Sequence, residues 1–120
     1  ISVGAAMAET VGGAKSETMG GARSLTVGKT LNETIGENQD VQIGKNLSER
    51  IGGQHEEAVE KAYLLQAKTI QLVAKDEIHL KTGDAEIVLK KNGDINIKGK
   101  TISVKGSGDV VIKGSKIKEN

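Results

Sequence analysis

Along the first half of the chain an aliphatic residue or methionine returns every eight positions, and each is followed by glycine. Val3, Val11, Met19, Val27, Ile35, Ile43 and Ile51 precede Gly4, Gly12, Gly20, Gly28, Gly36, Gly44 and Gly52. A helix does not accommodate this period. Successive repeats would advance about 80° round the helix axis, so no apolar stripe forms. A glycine in every repeat would also cost a helix about 1 kcal/mol each time. Eight residues do suit a short strand and a corner, and glycine at a corner admits backbone angles that other residues avoid. The spacing therefore predicts strands separated by corners at these seven glycines, with the preceding aliphatic side chains in the core.

Strand parity refines the picture. Positions two and four before glycine share one face. They hold Ser16 and Thr18, Ser24 and Thr26, Asn32 and Thr34, Asp40 and Gln42, and Ser48 and Arg50, with Ala8 the one non-polar occupant. That face is expected to meet water. Positions five and three share the inner face but are mixed: Met7 and Glu9, Lys15 and Glu17, Arg23 and Leu25, Leu31 and Glu33, Leu47 and Glu49 each join an apolar or long basic side chain to a polar one, as do Gln39 and Val41. Either the polar member reaches water near a corner, or charges pair between successive layers. Solvation near the corner is the simpler expectation, because unpaired buried charge is expensive.

The rule lapses over residues 54–63, where Glu60 stands in place of the next glycine. Propensity allows a helical turn there; Val59 keeps the phase, which favours one irregular repeat. Past this segment the period returns as aliphatic doublets: Ile70/Leu72, Ile78/Leu80, Ile87/Leu89, Ile95/Ile97, Ile102/Val104 and Val110/Ile112. All but the last are expected in the core. Turn signals at Thr82-Gly83-Asp84, Asn92-Gly93-Asp94, Gly99, Gly106-Ser107-Gly108 and Gly114 separate the later ones. Asn92-Gly93 between alternating runs ordinarily marks a hairpin; its place in the rhythm suggests one more corner. The expected organisation is an octapeptide region at 1–53, an irregular transition at 54–63, and a continuation at 64–120 ending in a blunt C-terminal tip.

Composition makes the assembly question acute. Tyr63 is the single aromatic residue, and hydrophobic residues make up 36% of the chain. A 120-residue chain so poor in apolar bulk has difficulty offsetting its conformational entropy alone. Strands with one apolar stripe close either as a monomeric solenoid or as three chains wound round a common axis. The narrow interior of a trimer suits small aliphatics, so the expected fold is an all-β, intertwined homotrimeric triangular β-helix, or β-prism. At one strand spacing per repeat it would be roughly 70 Å long. A net charge of +1 without a basic, aromatic-interleaved stripe gives no case for nucleic acid. The chain has no cysteine, and its longest uncharged run is residues 1–8, too short for a membrane helix. It begins inside a repeat and without Met, as expected of a segment from a longer polypeptide.

The Val-Gly octapeptides, together with the stretch Lys81-Thr82-Gly83-Asp84-Ala85-Glu86-Ile87-Val88-Leu89-Lys90-Lys91-Asn92-Gly93-Asp94-Ile95, resemble the C-terminal part of VgrG proteins, the valine-glycine repeat spikes of bacterial type VI secretion. The likeness runs through Ile102 to Lys113, and its octapeptide part is similar to the cell-puncturing needle of contractile-tailed phages. The resemblance implies an intertwined trimeric prism on a tail-like tube, with a small PAAR-type tip protein on its C-terminal end. It implies a tube and effectors engaged through the rest of a longer chain, and transient contact with a target membrane. It also implies a cytoplasmic location before firing, followed by secretion or delivery into a target cell. The hub modules that precede this region in the family do not occur in these residues.

No catalytic, metal or cofactor site is expected. His79 lies between Ile78 and Leu80, so parity turns it outward, and its alternate neighbours Glu77 and Lys81 do not complete a histidine pair. His55 sits in the irregular segment. Asp84, Asp94 and Asp109 follow glycines but lack the nonapeptide calcium pattern, so they read as turn formers. Glu9, Glu17, Glu33 and Glu49 fill one repeat slot without a cleft or aromatic platform for glycoside hydrolysis. A mechanical puncturing spike is thus the leading expectation; a phage tail needle, or a tailspike or adhesin stalk presenting a binding end, is the alternative. At the C-terminal end only Ile117 is apolar after Gly114. Three copies of such an end leave exposed strand edges, which favour capture of another protein. Val110, Ile112 and Ile117 are the expected docking residues.

Overall fold

The computed structural model describes residues 2–120. It is all-β: no helix occurs among the described residues, and every strand pairing is antiparallel. The chain divides into two units, Ile1–His55 and Glu56–Asn120.

In the first unit the backbone bends at Gly4-Ala5, Gly12-Gly13, Gly20-Gly21, Gly28-Lys29, Gly36-Glu37, Gly44-Lys45 and Gly52-Gly53. Between bends there is neither helix nor paired strand, and every described residue of the unit is exposed. The reason expected for glycine at these bends needs correcting. Among the described residues positive φ occurs only at Gly83 and Gly93, so the octapeptide glycines turn without left-handed φ. A Cβ added at Gly28 or Gly36 would meet nothing within 4 Å of its own chain. Within one chain, neither positive φ nor crowding singles out glycine at these two bends.

In the second unit the rhythm of bends continues at Glu60-Lys61 and Lys68. The helical alternative for residues 54–62 is therefore not adopted. Three strands follow: β1 (Glu77–Thr82), β2 (Ala85–Lys90) and β3 (Ile95–Lys98). They form an antiparallel meander in the order β1-β2-β3. Thr82 pairs with Ala85 across the two-residue loop Gly83-Asp84. Gly83 takes φ +52° at the first loop position, as a tight hairpin turn requires.

The second turn corrects the reading of Asn92-Gly93 as a corner. Gly93 N donates to Lys90 O at 3.0 Å, Lys90 N donates to Asp94 O at 2.9 Å, and Gly93 has φ +95°. This is a three-residue hairpin loop closed by a glycine bulge. Asn92 Oδ1 accepts from Asp94 N at 3.0 Å and fixes the turn locally. The ordinary meaning of Asn-Gly between alternating runs overrides the eight-residue rhythm here, because both runs reach a partner strand within the same chain.

Register sorts the sheet into two faces, since directly opposed residues share one. Ile78 stands opposite Leu89 and Leu80 opposite Ile87 on the first pair; Ile97 and Ile95 continue those rows on β3. The other face carries His79, Val88 and Asn96 in one row and Lys81, Glu86 and Lys98 in another. Backbone hydrogen bonds within the chain are confined, among the described residues, to residues 76–98. A single-chain solenoid would need ladders between repeats along the whole length, and that arrangement is not adopted.

Candidate functional site

Three features carry chemistry: the corners, the meander faces, and the C-terminal end. At the corners, Lys15 Nζ lies 2.9 Å from Glu9 Oε1, and Arg23 Nε lies 4.0 Å from Glu17 Oε1. Each pair spans a corner, its members three residues either side of Gly12 or Gly20. The same spacing recurs at Glu60, where the Tyr63 phenol is held above its ordinary pKa chiefly by a hydrogen bond to Glu57. At these two corners the charges pair between consecutive repeats, while both members keep about half their surface in water.

Across the remaining corners the two flanking positions also agree in class. Leu25 and Leu31 flank Gly28, Glu33 and Gln39 flank Gly36, Val41 and Leu47 flank Gly44, and Glu49 and His55 flank Gly52. Sequence reasoning compared positions five and three within one octapeptide and found mixtures. Counting three residues either side of each glycine reveals the agreement, and that signal is in the sequence.

On the meander, the aliphatic face forms an open trough lined by Leu80, Ile87 and Ile97, joined by Ile102. Leu80, Ile95 and Ile97 are each more than half exposed. The opposite face holds Val88, the only buried hydrophobic residue among those described. Sequence reasoning missed Val88 because it lies between the doublet members Ile87 and Leu89; its position at the centre of the middle strand, between His79 and Asn96, accounts for its burial. His79 is exposed, and its Nε2 donates to Glu86 Oε2 at 2.9 Å. That bond is the main cause holding the Glu86 carboxyl below its ordinary pKa, aided by the His79, Lys81 and Lys98 charges and opposed by desolvation. No group of three or more His, Cys, Asp or Glu side chains arranged to hold a metal occurs among the described residues.

The expected core residues are not covered within the chain. Val3, Val11, Met19, Val27, Ile35, Ile43 and Ile51 keep 43–49% of their surface, a uniform value that mirrors the repeat. Ile70, Leu72, Ile102 and Val104 are more exposed still, and Ile78 is half-buried. At the C-terminal end Val110, Ile112 and Ile117 are exposed. A Cβ on Gly106 would stand 3.2 Å from Val110 Cγ2 and 3.3 Å from Gly108 O, so the turn leading into this end is tight. No helix among the described residues is long and apolar enough to cross a membrane.

No protein-family model matches the chain, and no curated protein matches it.

Proposed function

We propose that this chain is a structural segment of a spike: a homotrimeric triangular β-helix of a contractile type VI secretion apparatus that pierces a target envelope and carries a tip protein. The observation that carries the reading is the confinement of intrachain backbone pairing to residues 76–98. Residues 1–53 repeat an aliphatic-glycine octapeptide for whose backbone the chain itself supplies no partner strand among the described residues.

Surface area supports the same reading. The chain exposes 13482 Å². A compact monomer of 12.6 kDa exposes about 6,200 Å². The excess, about 7,000 Å² per chain, is far larger than the roughly 800 Å² that each partner buries in a standard stable complex. It has the scale of an obligate assembly in which each chain completes the others' ladders and core. Three chains suit an eight-residue strand-and-corner unit that advances one face at a time. The resemblance of residues 81–95 and of the Val-Gly octapeptides to VgrG spikes selects the puncturing role within that architecture. No residue is assigned to catalysis, metal or cofactor binding.

The C-terminal layers from Val110 to Ile117 form the docking face for the conical tip protein in this reading. Light scattering should give a folded mass of three chains; a folded mass near one chain would sink the proposal. Truncation after Val104 should leave the octapeptide region trimeric while abolishing binding of a PAAR-type tip in calorimetry. Unchanged affinity would move the docking face elsewhere.

A further inference from the structure

We propose that the positions three residues either side of each corner glycine form a self-recognition code, through which the chain assembles with copies of itself and rejects octapeptide chains whose corners differ in class. The inference rests on the trimeric reading above.

The aliphatic-glycine step is common to every repeat and therefore distinguishes neither one repeat from another nor this chain from a similar one. The flanking positions vary, and they vary together. From Gly12 to Gly52 the corners run polar, polar, apolar, polar, apolar, polar. The first two polar corners neutralise themselves in cis, through Lys15 with Glu9 and Arg23 with Glu17. Three copies in register can therefore bring such corners to one level without accumulating like charge.

The apolar corners have no such internal solution. Leu25, Leu31, Val41 and Leu47 keep 57–69% of their surface exposed in the single chain. Their cover has to be apolar and has to lie at the same level of the repeat. Further copies of this chain, aligned in register, supply both, and the uncovered area of the chain calls for partners of that extent. A chain with a charged corner at Gly28 or Gly44 would instead press charge against these leucines and the valine, stripping water from it without offering a partner. Discrimination then comes from the penalty on the wrong partner as much as from the fit of the right one. Sliding one copy by a single octapeptide carries the same penalty. It opposes unlike classes at four of the five overlapping corners, Gly12 over Gly20 being the match.

The test is competitive assembly of full chains. The wild-type chain is co-expressed with a tagged variant, Leu25→Glu, Leu31→Lys, Val41→Glu and Leu47→Lys, whose corners are all polar, and trimers are counted by native mass spectrometry. Two tags on the wild-type sequence should mix at random. Wild type and variant should give mixed trimers about tenfold below random, a bias of about 1.4 kcal/mol. Mixing in random proportion would overturn the code while leaving the trimer intact. Should the variant fail to assemble, Glu17→Leu with Arg23→Leu makes a polar corner apolar, and its random mixing with wild type overturns the code equally. A monomeric wild-type chain would overturn the trimeric reading itself, and the code with it.

Discussion

The octapeptide unit and the meander share alternating sequences, but only the meander pairs its backbone within the chain. Residues 2–55 bend every eight positions and pair with nothing in their own backbone. Residues 77–98 turn twice through glycines with positive φ and satisfy one another across two antiparallel ladders. The difference lies in the turns. A two-residue Gly-Asp loop and a three-residue Lys-Asn-Gly loop reverse the chain onto itself. An ordinary-φ bend at an octapeptide glycine redirects the chain without reversing it, so consecutive repeats do not pair with one another. Hydrophobic alternation runs through both regions, and turn chemistry decides whether pairing is made within the chain; in the proposed trimer the octapeptide repeats pair with another copy instead.

The largest expected effect separates the two regions by concentration. In the assembled protein, amides of residues such as Thr30 to Ile35 should be protected from hydrogen exchange, although one chain offers them no partner. Dilution to dissociation should abolish that protection, while amides of β2 retain their partners on β1 and β3. Equal protection of both regions at every concentration would break the comparison.

Glycine substitutions should sharpen it next. Gly83→Val and Gly93→Val each force a β-branched residue into left-handed backbone, with an expected cost of about 1–2 kcal/mol per site in thermal unfolding. Gly28→Ala meets neither positive φ nor a neighbour within its own chain. A loss of stability in the assembled Gly28→Ala protein would therefore locate the obstruction on another copy, and an unchanged midpoint would show that the corner has room.

How far the sequence led can be read at particular residues. The bends fall at the octapeptide glycines, and one more falls at Glu60-Lys61, inside the segment where the rule lapses. The doublets Ile78/Leu80, Ile87/Leu89 and Ile95/Ile97 share one face of the meander, and that face lies largely open within the chain. At Asn92-Gly93 turn chemistry overrides the eight-residue rhythm, because the flanking runs pair with each other as β2 and β3. The backbone angle at the octapeptide glycines was not legible, because a bend can be made with ordinary φ and the reason for glycine need not lie within the chain. Val88 was not legible either: its burial comes from the middle position of β2, which depends on pairing. The corner pairs were legible but hidden by grouping positions within repeats, when the structure joins them across the glycine.

Those pairs give a smaller effect. Glu9→Gln and Lys15→Ala, singly and together, should show a coupling of about 0.2–1 kcal/mol in a double-mutant cycle, as partly exposed ion pairs do. It should shrink at high salt, where such pairs are screened. A coupling of zero at low salt would show that the pair shapes the corner without stabilising it.

The smallest effect belongs to the meander's polar face and concerns acid. Glu86 titrates below its ordinary value because its charged form accepts the hydrogen bond from His79. A carboxyl whose folded pKa is lowered adds stability that is present above its unfolded pKa and is lost as pH falls through the lowered folded value. The contribution of Glu86 should therefore be intact near neutrality and vanish in the acid range beneath the usual glutamate pKa. In His79→Ala, where both the donor and the imidazole charge are gone, the Glu86 carboxyl resonance should titrate closer to its ordinary position, and the acid-dependent part of the stability should shrink. Lys81 and Lys98 remain beside it and keep some of the depression. The octapeptide unit serves as the internal reference, since removing His79 leaves Glu9 and Glu17 with their own cations. If Glu86 titrated identically with and without His79, the bond across β1 and β2 would be a geometric neighbour relation without energetic weight, and the two lysines alone would account for the shift.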